Sequence, residues 1–137
     1  MADEIVKVDR FSIEVPNQAG EAARILEALS GAKANLIAFW GYPTGGGETA
    51  KIEIVAADAA ALKAAAKAAK VKVNKEAPAF HVVGKDKVGA LSSVLSKLAA
   101  AGINVHAVQA ASAGTRYGCL VEVGAADVRK ASKALGI

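Results

Sequence analysis

Residues 20–35 read Gly-Glu-Ala-Ala-Arg-Ile-Leu-Glu-Ala-Leu-Ser-Gly-Ala-Lys-Ala-Asn, and residues 89–104 read Gly-Ala-Leu-Ser-Ser-Val-Leu-Ser-Lys-Leu-Ala-Ala-Ala-Gly-Ile-Asn. A shift of 69 positions (89 − 20) lays one stretch on the other without a gap. Gly20, Leu26, Leu29 and Asn35 then fall on Gly89, Leu95, Leu98 and Asn104. The same shift pairs Phe11 with Phe80, Gly45 with Gly114, Glu53 with Glu122 and Asp58 with Asp127. Self-similarity at a fixed period marks one small structural unit used twice. Asn35 and Asn104 each stand among apolar neighbours where a strand begins, a position that does not favour Asn. A polar task is therefore expected of both.

Working outward, Phe11, Ile13 and Val15 alternate with Ser12 and Glu14, which predicts a strand ended by Pro16. Asn17 to Gly20 is a loop. Ala22, Ile25, Leu26 and Leu29 recur at i, i+3, i+4 and i+7, the apolar stripe of a helix. Asn35 opens a second strand through about Tyr42, Pro43 to Gly47 turns the chain, and Lys51 to Val55 forms a third strand. Asp58 is expected to cap an Ala-rich helix running to about Ala69, followed by a short strand at Val71-Lys72-Val73.

The second copy repeats this order. Phe80 to Val83 is a strand, Asp86 to Gly89 a loop, and Leu91, Val94, Leu95 and Leu98 a helix stripe. Gly102-Ile103-Asn104-Val105 opens the next strand, Gly114 turns it, Tyr117 to Val123 returns, and Asp127 caps the last helix. No fourth strand pattern follows before Ile137. The apolar run from about Glu4 to Val8 is expected to supply it. The expected fold class is α+β, with two βαββαβ units at residues 9–76 and 77–137, antiparallel sheets, helices on one face, and residues 4–8 completing the second unit.

Hydrophobic residues make up 53% of the 137 residues and charged ones 22%, enough apolar surface for a core in a soluble chain. No apolar run approaches the roughly 18 residues that cross a bilayer. The start, Met-Ala-Asp-Glu, lacks the basic region of a secretory signal. The single cysteine, Cys119, allows neither an internal disulfide nor a cysteine metal cluster, so a cytoplasmic location is expected. His81 and His106 have no metal-ligand spacing around them, and no metal or cofactor is expected. The net charge of +4 comes largely from lysines such as Lys63, Lys67, Lys70, Lys130 and Lys133, read as solvated helix faces. Gly45-Gly46-Gly47 lacks a following Lys-Ser/Thr and is a turn rather than a phosphate loop.

The order strand, loop, Gly, apolar helix, Asn, strand, given twice, resembles the ACT domain family of ferredoxin-like amino-acid-binding modules. The second unit carries the resemblance at Asp86, Gly89, Leu91, Leu95, Leu98 and Gly102-Ile103-Asn104-Val105. The first carries it at Asn17, Gly20, Leu26, Leu29, Asn35 and Leu36. Ala19 and Val88 replace the usual Pro before Gly, Ala22 the usual Leu after it, and Lys33-Ala34 the usual Gly-Ile. The resemblance implies two ferredoxin-like units in tandem and a non-catalytic regulatory role. It further implies Asn17, Gly20, Asn35, Asp86, Gly89 and Asn104 as ligand residues, the loop of one unit facing the Asn of the other.

The chemistry suits a free amino acid. Asn offers a donor and an acceptor from one side chain. A loop before a helix start presents backbone N–H groups to a carboxylate. Each loop residue also has a purely structural reading, as a turn or a helix cap. Asn17 is neutral and Asp86 anionic, so unequal sites are expected. Trp40 and Tyr42 share a strand face and are read either as ordinary packing or as lining for a ligand side chain or a subunit contact. The expected partners are an amino acid, a second copy in a homodimer, and an enzyme or regulator acted on in trans. The alternative is a ferredoxin-like RNA-binding module. It lacks the stacking aromatics on the third strand that such modules use. An enzyme would need a paired acid and base near Glu53 or Glu122, which the sequence does not display.

Overall fold

The computed structural model describes residues 3–137. Met1 and Ala2, at the acidic start, lie outside the described residues. The chain divides into two compact units, one spanning residues 9–76 and the other residues 77–137 with the amino-terminal segment.

In the first unit the elements follow as β2 (Phe11–Pro16), α1 (Glu21–Gly31), β3 (Leu36–Thr44), β4 (Thr49–Ala56), α2 (Ala59–Ala68) and β5 (Val73–Lys75), after β1 (Glu4–Val8). Its four-stranded sheet has the order β3-β4-β2-β5, with antiparallel pairing throughout. The second unit continues with β6 (Ala79–Lys85), α3 (Ser92–Ala100), β7 (Val105–Ala113), β8 (Arg116–Val123), a 3-10 turn (Ala125–Asp127) and α4 (Val128–Leu135). Its sheet has the order β1-β6-β8-β7. Strand β1 lies antiparallel to β6, with Glu4 opposite Val83 and Val8 opposite Ala79, in the place β5 holds beside β2. The amino-terminal segment is thus the fourth strand that the second copy lacks.

Each core is built from one face of a sheet and the inner stripes of two helices. Phe11, Ile13, Ile25, Leu29, Ile52, Ile54 and Leu62 are buried together in the first unit. Phe80, Val82, Val94, Leu98, Val121, Val123 and Ala131 occupy the same places in the second. One pair of positions exchanges sizes. Leu62 and Ala66 of α2 correspond to Ala131 and Leu135 of α4, so large and small trade places across one helical turn. Swaps that conserve volume keep a core packed.

All four helices close in the same manner. The N–H groups of Ala34, Val71, Ile103 and Ile137 donate to carbonyls five residues back, on Leu29, Ala66, Leu98 and Ser132. This closure needs a left-handed residue just past the helix. Gly102 and Gly136 fill that position in the second unit, but Lys33 and Lys70 fill it in the first, each with φ of 58°. Lys33, which stands where Gly102 does in the second copy, therefore adopts glycine's conformation.

Several local expectations shift. The short strand falls at Val73–Lys75 rather than Val71 to Val73, because Val71 closes α2. Leu26 is exposed at 41%, leaving Ile25 and Leu29 as the buried stripe of α1. Asp58 caps α2 by accepting from the Ala60 N–H at 2.9 Å. Asp127 makes no such cap, because a 3-10 turn carries the chain into α4. Pro43 belongs to the edge strand β3, opposite Ala50, and not to the turn. An edge strand tolerates its missing N–H.

Candidate functional site

Loop 17–20 leads from β2 into α1. The Asn17 N–H donates to the Glu48 carbonyl at 2.9 Å, and Asn17 Nδ2 donates to the Gly47 carbonyl at 2.8 Å. The amide thereby ties the loop to the β3–β4 turn. Gly20 caps α1 in the left-handed conformation, with φ of 90° and no side-chain cap. A side chain there would be strained whatever the space.

Beside this loop lies a cavity of about 290 Å³. Asn17, Gln18, Glu21 and Ala22 form its loop and helix side, and Phe39, Tyr42, Pro43 and Ile52 contribute from the sheet. Tyr42 donates its hydroxyl to Glu53 Oε2 at 2.7 Å. Glu53 is 4% exposed and paired with Arg10, itself buried. The mid-strand carboxylate is therefore engaged in a buried ion pair and a tyrosine hydroxyl bond. Trp40 does not line the cavity, and Tyr42 borders it while its ring turns to the other sheet face with Glu53.

The second loop has a matching cavity of about 400 Å³. Asp86, Lys87, Gly89, Leu91 and Ser92 line it from the loop and helix, and Ala110, Ala111, Ser112 and Tyr117 from the strands. Asp86 occupies the place of Asn17, Leu91 that of Ala22, Ala111 that of Tyr42 and Ser112 that of Pro43. Gly89 has φ of +74° but lies in a turn, and α3 begins only at Ser92. Gly20 and Gly89 therefore relate differently to their helices. The Tyr117 hydroxyl donates to Asp3 Oδ2 at 2.8 Å. Burial, then the bond to the Asp3 carboxylate, pushes the phenol up to about 12 from 10.0.

Asn35 and Asn104 lie elsewhere in their own units. Both are exposed and stand just before β3 and β7, where a bulge follows at Leu36/Ala38 and at Val105/Ala107. Seven residue steps of extended chain separate Asn35 from Tyr42, about 23 Å at strand rise. Within each unit the structure brings Asn17 near Gly20, and Asp86 near Gly89, but joins neither loop to that unit's own Asn. Reading the sequence missed Phe39, Pro43, Ser112 and Arg10. Only Pro43 and Ser112 had a usable signal, namely the 69-residue shift applied to strand ends.

Among the described residues, no group of three or more His, Cys, Asp and Glu gathers to hold a metal. No helix among them is long and apolar enough to cross a membrane. Cys119 is buried, and desolvation pushes its thiol up to about 11. On β8 the aromatic nearest a base-stacking position, Tyr117, is 5% exposed and bonded to Asp3.

The ACT domain family model matches residues 82–136. No curated protein matches the chain. Among solved structures, protein BT0572 from Bacteroides thetaiotaomicron superposes with a TM-score of 0.81 at 19% identity, covering 96% of this chain and 88% of that one. The ligand-free regulatory subunit of aspartate kinase from Thermus thermophilus gives a TM-score of 0.64 at 16% identity, covering 99% and 95%. A structure of aspartokinase α and β subunits gives 0.65 at 15% identity, covering 100% and 99%. At these identities the likeness is one of fold. The second unit thus resembles the ACT domain family over residues 82–136, and the first unit repeats its order of strands and helices.

Proposed function

We propose that this chain is a non-catalytic sensor of a free amino acid that modulates a partner in trans. The observation that carries the reading is the repeated cavity. In each unit a β–α loop, with Asn17 or Asp86 at the same place, closes over a cavity against the adjacent strands. Cavities near 300–400 Å³ hold one small ligand. Asn35 and Asn104 lie outside their own unit's cavity, and the proposal keeps them as contributors to the loop of a neighbouring unit. The regulatory subunits of aspartate kinase among the similar folds support this reading. Regulation follows by linkage: the arrangement that binds the ligand better becomes the more populated.

Thermal-shift scanning against the common amino acids tests it. A ligand at 100 times its Kd adds about 2.7 kcal/mol to stability. For a chain of this size that is a rise of several degrees in Tm. The rise should shrink in Asn17→Ala, Asp86→Ala, Asn35→Ala or Asn104→Ala. A Tm indifferent to every amino acid defeats the sensor reading.

A further inference from the structure

The two cavities stand at equivalent places but have different walls. On the strand side of the first, Phe39 and Pro43 share the sheet face that borders the loop. The second has Ala110, Ala111 and Ser112 along the corresponding strand. On the loop side the first has the neutral amides Asn17 and Gln18, and its single carboxylate, Glu21, is paired with Arg24 at 2.9 Å. The second places Asp86 and Lys87 there. The first is also smaller, about 290 against 400 Å³.

The apolar wall of the first cavity comes from β3 residues that share a sheet face with Ile52: Phe39 packs against the core, and Gly41 lies opposite Ile52. The Tyr42 ring turns to the other face, where its hydroxyl meets Glu53. Pro43 adds a rigid apolar neighbour, and Ile52 forms a buried floor. A lining of this kind favours apolar surface, while a charged side chain would lose water without gaining a counter-charge. From this, resting on the sensor reading above, we propose that the cavity beside Asn17 selects a free amino acid with an aromatic or branched aliphatic side chain, and that the cavity beside Asp86 does not.

The test is calorimetric titration of the full chain with L-phenylalanine and L-leucine, set against L-serine and L-aspartate. Two substitutions give the first cavity the residues of the second: Ala22→Leu, which fills its mouth, and Pro43→Ser, which removes its apolar wall. Ala22 is exposed, so the first change leaves the core untouched. The expected result is that an apolar amino acid binds, weakens at least tenfold in both variants, and keeps its affinity in Lys63→Gln, an exposed change outside both cavities. Apolar binding that ignores Ala22→Leu and Pro43→Ser overturns the assignment and leaves the sensor reading standing. Binding of L-serine or L-aspartate alone does the same. No binding of any of the four amino acids by the intact chain overturns the assignment. A Tm unmoved by all the common amino acids brings down the sensor reading with it.

Discussion

Tyr117 and Asp3 are 114 positions apart in sequence, yet the Tyr117 hydroxyl donates to Asp3 Oδ2 at 2.8 Å across Gly84. A Cβ on Gly84 would come within 2.0 Å of the Asp3 carboxylate and 2.8 Å of the Tyr117 ring, so only glycine admits the latch. The first unit has no counterpart, because Val15 stands where Gly84 does. The latch pins the start of β1 to a wall of the second cavity. Tyr117→Phe is expected to cost about 1.5–3 kcal/mol, as for a hydrogen bond to a charged group. The raised phenol adds a pH dependence. Its folded value, about 12, exceeds its unfolded value, 10.0, so this stability is complete below pH 10 and is lost as pH rises through about 12. Denaturant midpoints for the two proteins should therefore converge at high pH.

Deleting residues 1–8 should lower the Tm of the second unit far more than Tyr117→Phe does. It removes the whole β1–β6 ladder and the Ile5 packing under it. Exposed β6 edges also invite association. Hydrogen exchange by mass spectrometry should show protection lost across Ala79–Lys85. Unchanged protection there would contradict the role assigned to β1.

The exchanged sizes on α2 and α4 predict a rescue. Leu62 is fully buried, and Leu62→Ala should cost about 2–5 kcal/mol through the cavity left behind. Adding Ala66→Leu copies the Ala131/Leu135 arrangement and should restore part of that loss. Equilibrium unfolding of the single and double variants measures the coupling.

Lys33 and Lys70 hold a left-handed conformation that costs a residue with a Cβ about 1–2 kcal/mol. Glycine has no such cost but loses more entropy on folding, and Lys adds a favourable charge at a helix end. Lys33→Gly should therefore raise stability by about 0.5–1 kcal/mol. The reverse change, Gly102→Lys, should lower it. Urea midpoints decide the sign.

Arg10 and Glu53 form a buried pair, each less than a tenth exposed. Removing one partner leaves a buried charge, so Arg10→Met should cost about 3–5 kcal/mol.

Glu76 accepts a hydrogen bond from the Ser12 hydroxyl at 2.6 Å and faces Lys51 at 3.3 Å. The Ser12 bond is the largest cause holding its carboxyl below the usual 4.5, with Lys51 adding to it. A depressed folded value contributes stability above pH 4.5 that is lost as pH falls through the folded value. Carboxyl titration by NMR should show Glu76 moving upward in Ser12→Ala.

The 69-residue shift alone determined much of this protein. It specified two units, their order of strands and helices, and the equivalence of Asn17 with Asp86 and Asn35 with Asn104. Local periodicity is enough for that, since it reports which face of an element turns inward. What it does not report is the partner on the other side. That Lys33 would act as glycine, that α2 and α4 would trade Leu for Ala, and that Arg10 would reach Glu53 depend on contacts between distant segments. The same holds for the candidate sites. The loop residues were legible because a turn before a helix is a local feature. The cavity wall at Phe39 was not, because the register of the edge strand places it there. Only tertiary structure separated each loop from its own unit's Asn, since an extended strand carries its two ends apart by its full length.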